Sequence, residues 1–173
     1  MILGGTNINP WRAGAFLVPF ASILVAILIM PLPIAFKLDG FWLVPSLPLT
    51  AVFLWTMYRP DLLPPLAVLL LGGFMDLLID APMGVSALAF LTAYTIVLSQ
   101  RLYWMTLPRG GILVGFLIVM LSCGAVSWLA TSFSFGKFVS PMPMLLETVI
   151  SVVAFPAIRW LFEPLQRLAG PAL

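Results

Sequence analysis

The sequence predicts an all-α polytopic membrane protein: a bundle of six transmembrane helices with both termini in the cytoplasm. Three observations lead there. Of the 173 residues, 62% are hydrophobic and only 8% charged, whereas a soluble domain carries about 25% charged residues. Charge-free intervals of spanning length recur along the chain. The Lys and Arg residues divide six to two between alternate sides of those intervals. The same composition excludes a disordered chain, for lack of polarity, and a nucleic-acid binder, for lack of a basic stripe. A disulfide scaffold is excluded because Cys123 is the single cysteine.

A helix needs roughly 20 apolar residues to cross the hydrocarbon core, so the intervals between charges give the spans in order. The 24 residues between Arg12 and Lys37 predict a first span over 13–36. It is too long for a signal-peptide core, and no small-residue cleavage site follows it before Lys37. The 19 residues from Gly40 to Tyr58 predict a second span over 41–58. The apolar run 62–75 is short alone but becomes a third span, 61–79, if the helix carries Asp76 within it. The 20 residues from Ala81 to Gln100 and the 27 from Gly110 to Gly136 predict spans over 83–100 and 110–132. A sixth, 142–162, follows if the helix tolerates Glu147. The short connections leave no room for a soluble catalytic domain, so 1–173 reads as a single integral membrane domain.

Arg12, Arg59, Arg101, Arg109, Arg159 and Arg167 fall on one side of this arrangement, Lys37 and Lys137 on the other. By the positive-inside rule the arginine side is cytoplasmic, and an odd number of spans would scramble the segregation. Most of the 16 prolines punctuate helix ends, where a missing amide costs nothing. Pro19, Pro45, Pro48 and Pro156 lie nearer the spans, where each predicts a bend.

The chain has no histidine, and its two lysines are interfacial. The usual general base, a zinc triad and a Ser-Lys dyad are therefore absent or poorly supplied. The candidates are the acids, since an aspartate at mid-membrane costs on the order of 3 kcal/mol and calls for a partner. Asp76 and Asp80 share one face of the third span near its C-terminal end. The helix dipole is unfavourable to a carboxylate there, so local helix physics explains neither. Asp80 and Glu147 either approach headgroup water or pair with Lys37, Lys137 or a backbone amide. Asp76, deeper and preceded by Gly72 and Gly73, reads as a buried hydrogen-bonded group where glycines admit another helix. Gly111 and Gly115 open a small-residue stripe, continued by Cys123, Gly124 and Ser127, that reads as close packing within the bundle. No cofactor site is legible.

Gly72, Asp76 and Asp80 reproduce the second half, G-x3-D-x3-D, of the signature of CDP-alcohol lipid phosphotransferases. The first half, D-G-x2-A-R, would fall on Tyr58, Arg59, Leu62 and Leu63, so the first carboxylate and the arginine are both missing. Half of the motif cannot build a two-metal site, and the chain reads as no enzyme.

The stretch WTMYRPDLLPPLAVLLLGGFMDLLIDAPMG, with LSQRLYW from Leu98 to Trp104, resembles the rod shape-determining protein MreD family. The resemblance rests on Arg59 and Pro60 closing the second span, Gly72 and Asp76 in the third, and Pro82 with Gly84 in the turn that follows. It covers about a quarter of the chain in specific residues and the rest in hydropathy. It implies a non-enzymatic scaffold of the bacterial inner membrane that helps position lateral peptidoglycan synthesis. Its implied partners are MreC first, then MreB, RodA and the penicillin-binding protein of RodA, with membrane lipid around it and no nucleic acid. The glycine stripes suggest packing against the single membrane helix of MreC. The plan is also similar to the S-components of energy-coupling-factor vitamin transporters, which supplies a rival reading as a substrate-binding subunit. That reading requires a polar pocket, for which the chain offers its three acids, Gln100 and some Ser and Thr.

Overall fold

A computed structural model describes residues 10–30, 36–38, 41–43, 45–107 and 109–168. Among these, six α-helices carry the architecture: α1 (Pro10–Ile29), α2 (Leu47–Tyr58), α3 (Pro65–Leu78), α4 (Val85–Thr106), α5 (Arg109–Phe135) and α6 (Met142–Leu168). A three-residue 3-10 turn, Pro60–Leu62, links α2 to α3. Between α1 and α2 the short strands β1 (Phe36–Leu38) and β2 (Phe41–Leu43) pair antiparallel, Lys37 opposite Trp42. Val85–Thr106, Gly110–Phe135 and Met142–Pro164 are each long and apolar enough to cross a membrane. Leu17–Ile29, Leu47–Tyr58 and Pro65–Leu78 are shorter apolar helices.

The first two helices are shorter than charge counting predicts. The interval 13–36 is uninterrupted by charge, yet α1 ends at Ile29 and β1 begins at Phe36. Likewise the interval 41–58 begins as strand, and α2 starts only at Leu47. An uncharged interval measures apolarity, not helicity. Proline at 31 disfavours the α conformation of the residue before it, and Pro48 belongs in a first turn, where α2 places it. Pro48 and Pro45 therefore bend nothing. Pro19 and Pro156 do lie inside α1 and α6, with Pro164. Pro31, Pro33 and Pro108 lie outside the described residues, as do the side chains of Trp11, Trp42, Lys37, Arg12, Arg109 and Arg167.

α2 is the axle of the bundle. It is apolar all round, and every residue from Pro48 to Met57 is buried, as expected of a helix enclosed on all sides. It packs against α1, α4 and α6, while α3 packs on α4, α4 on α5, and α5 on α6. At the centre the Phe53 ring meets Phe116 edge-on at 5.1 Å and Phe155 edge-on at 5.8 Å, with Trp104 tilted beside it at 6.2 Å. Phe116 and Phe155 stack at 4.3 Å. Four helices thus share one aromatic knot, with edge-to-face pairs in their favoured geometry. Trp55 donates its indole N–H to Ser22 Oγ at 2.8 Å, and Ser22 passes its hydroxyl to the Pro19 carbonyl at 2.8 Å, tying α2 to α1.

Candidate functional site

Two neighbouring features bring polar groups together: the corner between α3 and α4, and the cleft that this corner helps to wall.

The corner is built around Asp76, which is 1% exposed. Its Oδ2 accepts the Gly84 amide and its Oδ1 accepts the Ser86 amide, both at 2.8 Å. Gly84 is the N-cap residue of α4, so the carboxylate satisfies two amides of a helix start, where backbone donors lack intrahelical partners. The unfavourable dipole of its own helix is thereby answered by the favourable positive end of the next one. Gly84 adopts φ +97°, a left-handed conformation that suits glycine. Pro82 precedes it in the turn and its carbonyl accepts the Val85 amide at 3.3 Å. Gly72 lies against α4 one turn earlier: a Cβ there would sit 2.5 Å from Ala87 Cα and 2.9 Å from the Ser86 carbonyl oxygen. Gly73 faces open space. Asp80, four residues beyond Asp76, is exposed and takes φ 54° at the helix end, a conformation that aspartate tolerates better than most residues.

At the opposite end of α3, Arg59 is the C-cap of α2 and donates its amide to the Trp55 carbonyl at 2.7 Å. Pro60 opens the 3-10 turn. Together these fix both ends of α3.

The small-residue stripe of α5 is consumed inside the chain. A Cβ on Gly115 would meet the Trp104 indole at 2.7 Å, and one on Gly111 would overlap the Leu107 side chain. A Cβ on Gly124 would lie 2.7 Å from the terminal methyl of Met144 in α6. Cys123 is buried and donates its thiol to the Ala89 carbonyl at 3.2 Å. Gly72 and Gly115 therefore lie in intramolecular seams, against Ala87 and Trp104 of α4.

The second feature is a cleft of about 330 Å³ between the ends of α3 and α5 and the beginnings of α2, α4 and α6. Its walls are mainly apolar. Glu147 of α6 lines it, together with hydroxyls of Ser86, Ser127 and Thr131. Ser46, the N-cap residue of α2, lines the cleft with Glu147. One turn along α6, Ser151 Oγ accepts the Ser46 amide at 2.9 Å. Glu147 precedes Ser151 by one turn on the same helix face. Trp128, which also lines the cleft, donates its indole N–H to the Val139 carbonyl at 2.7 Å and holds the α5–α6 connection over it.

Sequence reasoning names the acids and the glycines, and the structure gathers some of them into two places, leaving Asp80 exposed and Gly73, Gly111 and Gly115 elsewhere. Asp76, Gly72, Pro82 and Gly84 meet at the corner, and Glu147 stands in the cleft beside it. Arg59 and Pro60 lie at the far end of α3. The residues that reasoning misses are Ser46, Thr131, Trp128 and Ser151, and it names Ser127 only as part of the packing stripe. Their signal is hydroxyls and an indole on apolar helices, visible one by one but not as a group. No family model matches this chain, and no curated protein or solved structure matches it.

Proposed function

We propose that the protein is a non-enzymatic scaffold of the bacterial inner membrane, of the MreD kind, that helps position the cell-elongation machinery. In this reading the chain crosses the membrane six times with both termini cytoplasmic. Supporting that topology are the six apolar helices in succession and the arginines gathered on one set of connections. Supporting the scaffold role is one observation above the others: α3 is clamped at both ends yet presents a bare outer face. The Asp76 bonds and the Gly72 seam fix it to α4, and Arg59 and Pro60 turn it out of α2. Its outward Leu66, Leu70, Phe74 and Leu77 are exposed. A rigid helix with an apolar outer ridge suits the packing of another membrane helix, and van der Waals fit drives such association in lipid. The membrane helix of MreC is the occupant this reading assigns, with RodA, its penicillin-binding protein and MreB in the larger assembly.

The test is affinity purification of a tagged copy from bacterial membranes in mild detergent, with mass spectrometry of what accompanies it. Recovery of MreC with the wall-synthesis proteins, lost on the double change Leu70→Ala with Phe74→Ala, is the expected result. Recovery instead of transporter ATPases and their membrane coupling subunit would replace the scaffold with a substrate-binding S-component.

A further inference from the structure

We propose that the cleft walled by α2 to α6 is a binding site for small amphipathic organic cations, with Glu147 as their counter-charge. The proposal is independent of which proteins accompany the chain.

The space fits such a ligand. A cleft of about 330 Å³ lies at the small end of the range of ligand pockets, and like them it is an apolar enclosure with a few converging polar groups. The charge fits as well. Among the described residues lining the cleft, Glu147 carries the one formal charge, and no Lys or Arg stands with it. Lys137, on the connection nearby, is exposed. A carboxylate accepts through two oxygens and about four lone pairs. Ser46 lines the cleft with Glu147, and the two carboxylate oxygens leave acceptor capacity for a ligand ammonium or N–H. A single negative charge between low-dielectric walls focuses its field into the space and raises the local concentration of cations over anions.

The walls discriminate further. Phe90 and Trp128 line the cleft, and aromatic faces attract ammonium groups and stack on flat apolar bodies. Ser127 and Thr131 add hydroxyls along α5, one turn apart on the same face. Ser86 lines the cleft while Asp76 holds its amide, so the corner keeps this wall in place. A compact aromatic amine matches that set. An anion of the same shape meets a carboxylate and, among the described lining residues, no positive group.

Cleft-selective labelling tests the proposal on the purified full chain. Ser127→Cys is made in a Cys123→Ala background, so that the chain has one thiol, and Thr131→Cys is the second position should the first fail to fold. Each is reacted with 2-(trimethylammonium)ethyl methanethiosulfonate and with its 2-sulfonatoethyl counterpart, and the rates are normalised to those with free cysteine. The cationic reagent should react about tenfold faster than the anionic one. Glu147→Gln should bring the ratio close to unity. Tryptamine should slow the labelling, and indole-3-propionate, of similar shape and opposite charge, should not. Equal normalised rates, a ratio unchanged by Glu147→Gln, or equal protection by both indoles would overturn the proposal. So would failure of both reagents to reach either position.

Discussion

Asp76 of α3 holds the first turn of α4 by its backbone: Oδ1 accepts the Ser86 amide at 2.8 Å while Oδ2 accepts that of Gly84. An intramembrane-type acid thus serves as a helix cap supplied from a neighbouring helix. Charge-assisted bonds to amides are among the stronger hydrogen bonds, and both amides would be orphaned without it. Asp76→Leu should therefore cost about 3 kcal/mol of stability. Asp76→Asn, whose amide offers one accepting oxygen in place of two, should cost about half as much. Unfolding of the detergent-solubilised protein, followed by tryptophan fluorescence, measures both. Equal stability of all three proteins would refute the capping role.

The two adjacent glycines of α3 should respond in opposite ways. At Gly72 an added methyl meets the backbone of Ala87 and Ser86, which cannot rotate aside, so Gly72→Ala should destabilise by about 1–3 kcal/mol as α3 and α4 are forced apart. At Gly73 nothing lies within 4 Å, and Gly73→Ala should be neutral or gain up to about 1 kcal/mol from helix propensity. The same unfolding measurement on the pair tests the energetic weight of the close approach of α3 and α4.

Thr56 offers a gain. Its Oγ1 is buried in α2 with no hydrogen-bond partner among the described residues, and burying an unsatisfied hydroxyl costs about 1–3 kcal/mol. Thr56→Val keeps the branched shape and removes the polar atom, so the melting temperature should rise. A fall would mean that the hydroxyl has a partner in the membrane.

Removing the Ser22 hydroxyl should expose a second dependence. Trp55 is fully buried and its indole N–H relies on Ser22 Oγ. Ser22→Ala should cost about 1–3 kcal/mol by stranding that donor, and the double change with Trp55→Phe should recover part of the loss. Additive losses would show that the two groups do not interact.

The later helices were the legible ones. The sequence predicts starts at 83, 110 and 142, and α4, α5 and α6 start at Val85, Arg109 and Met142, because charges and prolines bracket those intervals. The first half was harder, since counting charges passes over strand signals. Asp39-Gly40 between short apolar runs is a strong hairpin signal, and β1 and β2 flank it. Burial of Asp76 follows from its depth and its glycines, but its acceptor role depends on α4 folding back across α3, a long-range fact that no local pattern encodes. The cleft is harder still. Ser46, Ser127 and Glu147 belong to three helices, and each hydroxyl alone looks like an ordinary helix residue bonded to its own backbone.

The brevity of α3 bears on the surrounding lipid. Fourteen residues span roughly 21 Å, against a hydrocarbon thickness of about 30 Å. α2 is shorter still but is enclosed by its neighbours, whereas α3 presents its outer face to the surroundings. On the proposed six-span reading, acyl chains beside that face would compress or tilt to match it, at a fraction of a kcal/mol for each ångström of mismatch. A thinned annulus on one flank favours neighbours that relieve the same deformation, so short or strongly tilted helices would gather there. The bilayer itself would then contribute a directional, contact-free attraction toward the α3 side of the molecule.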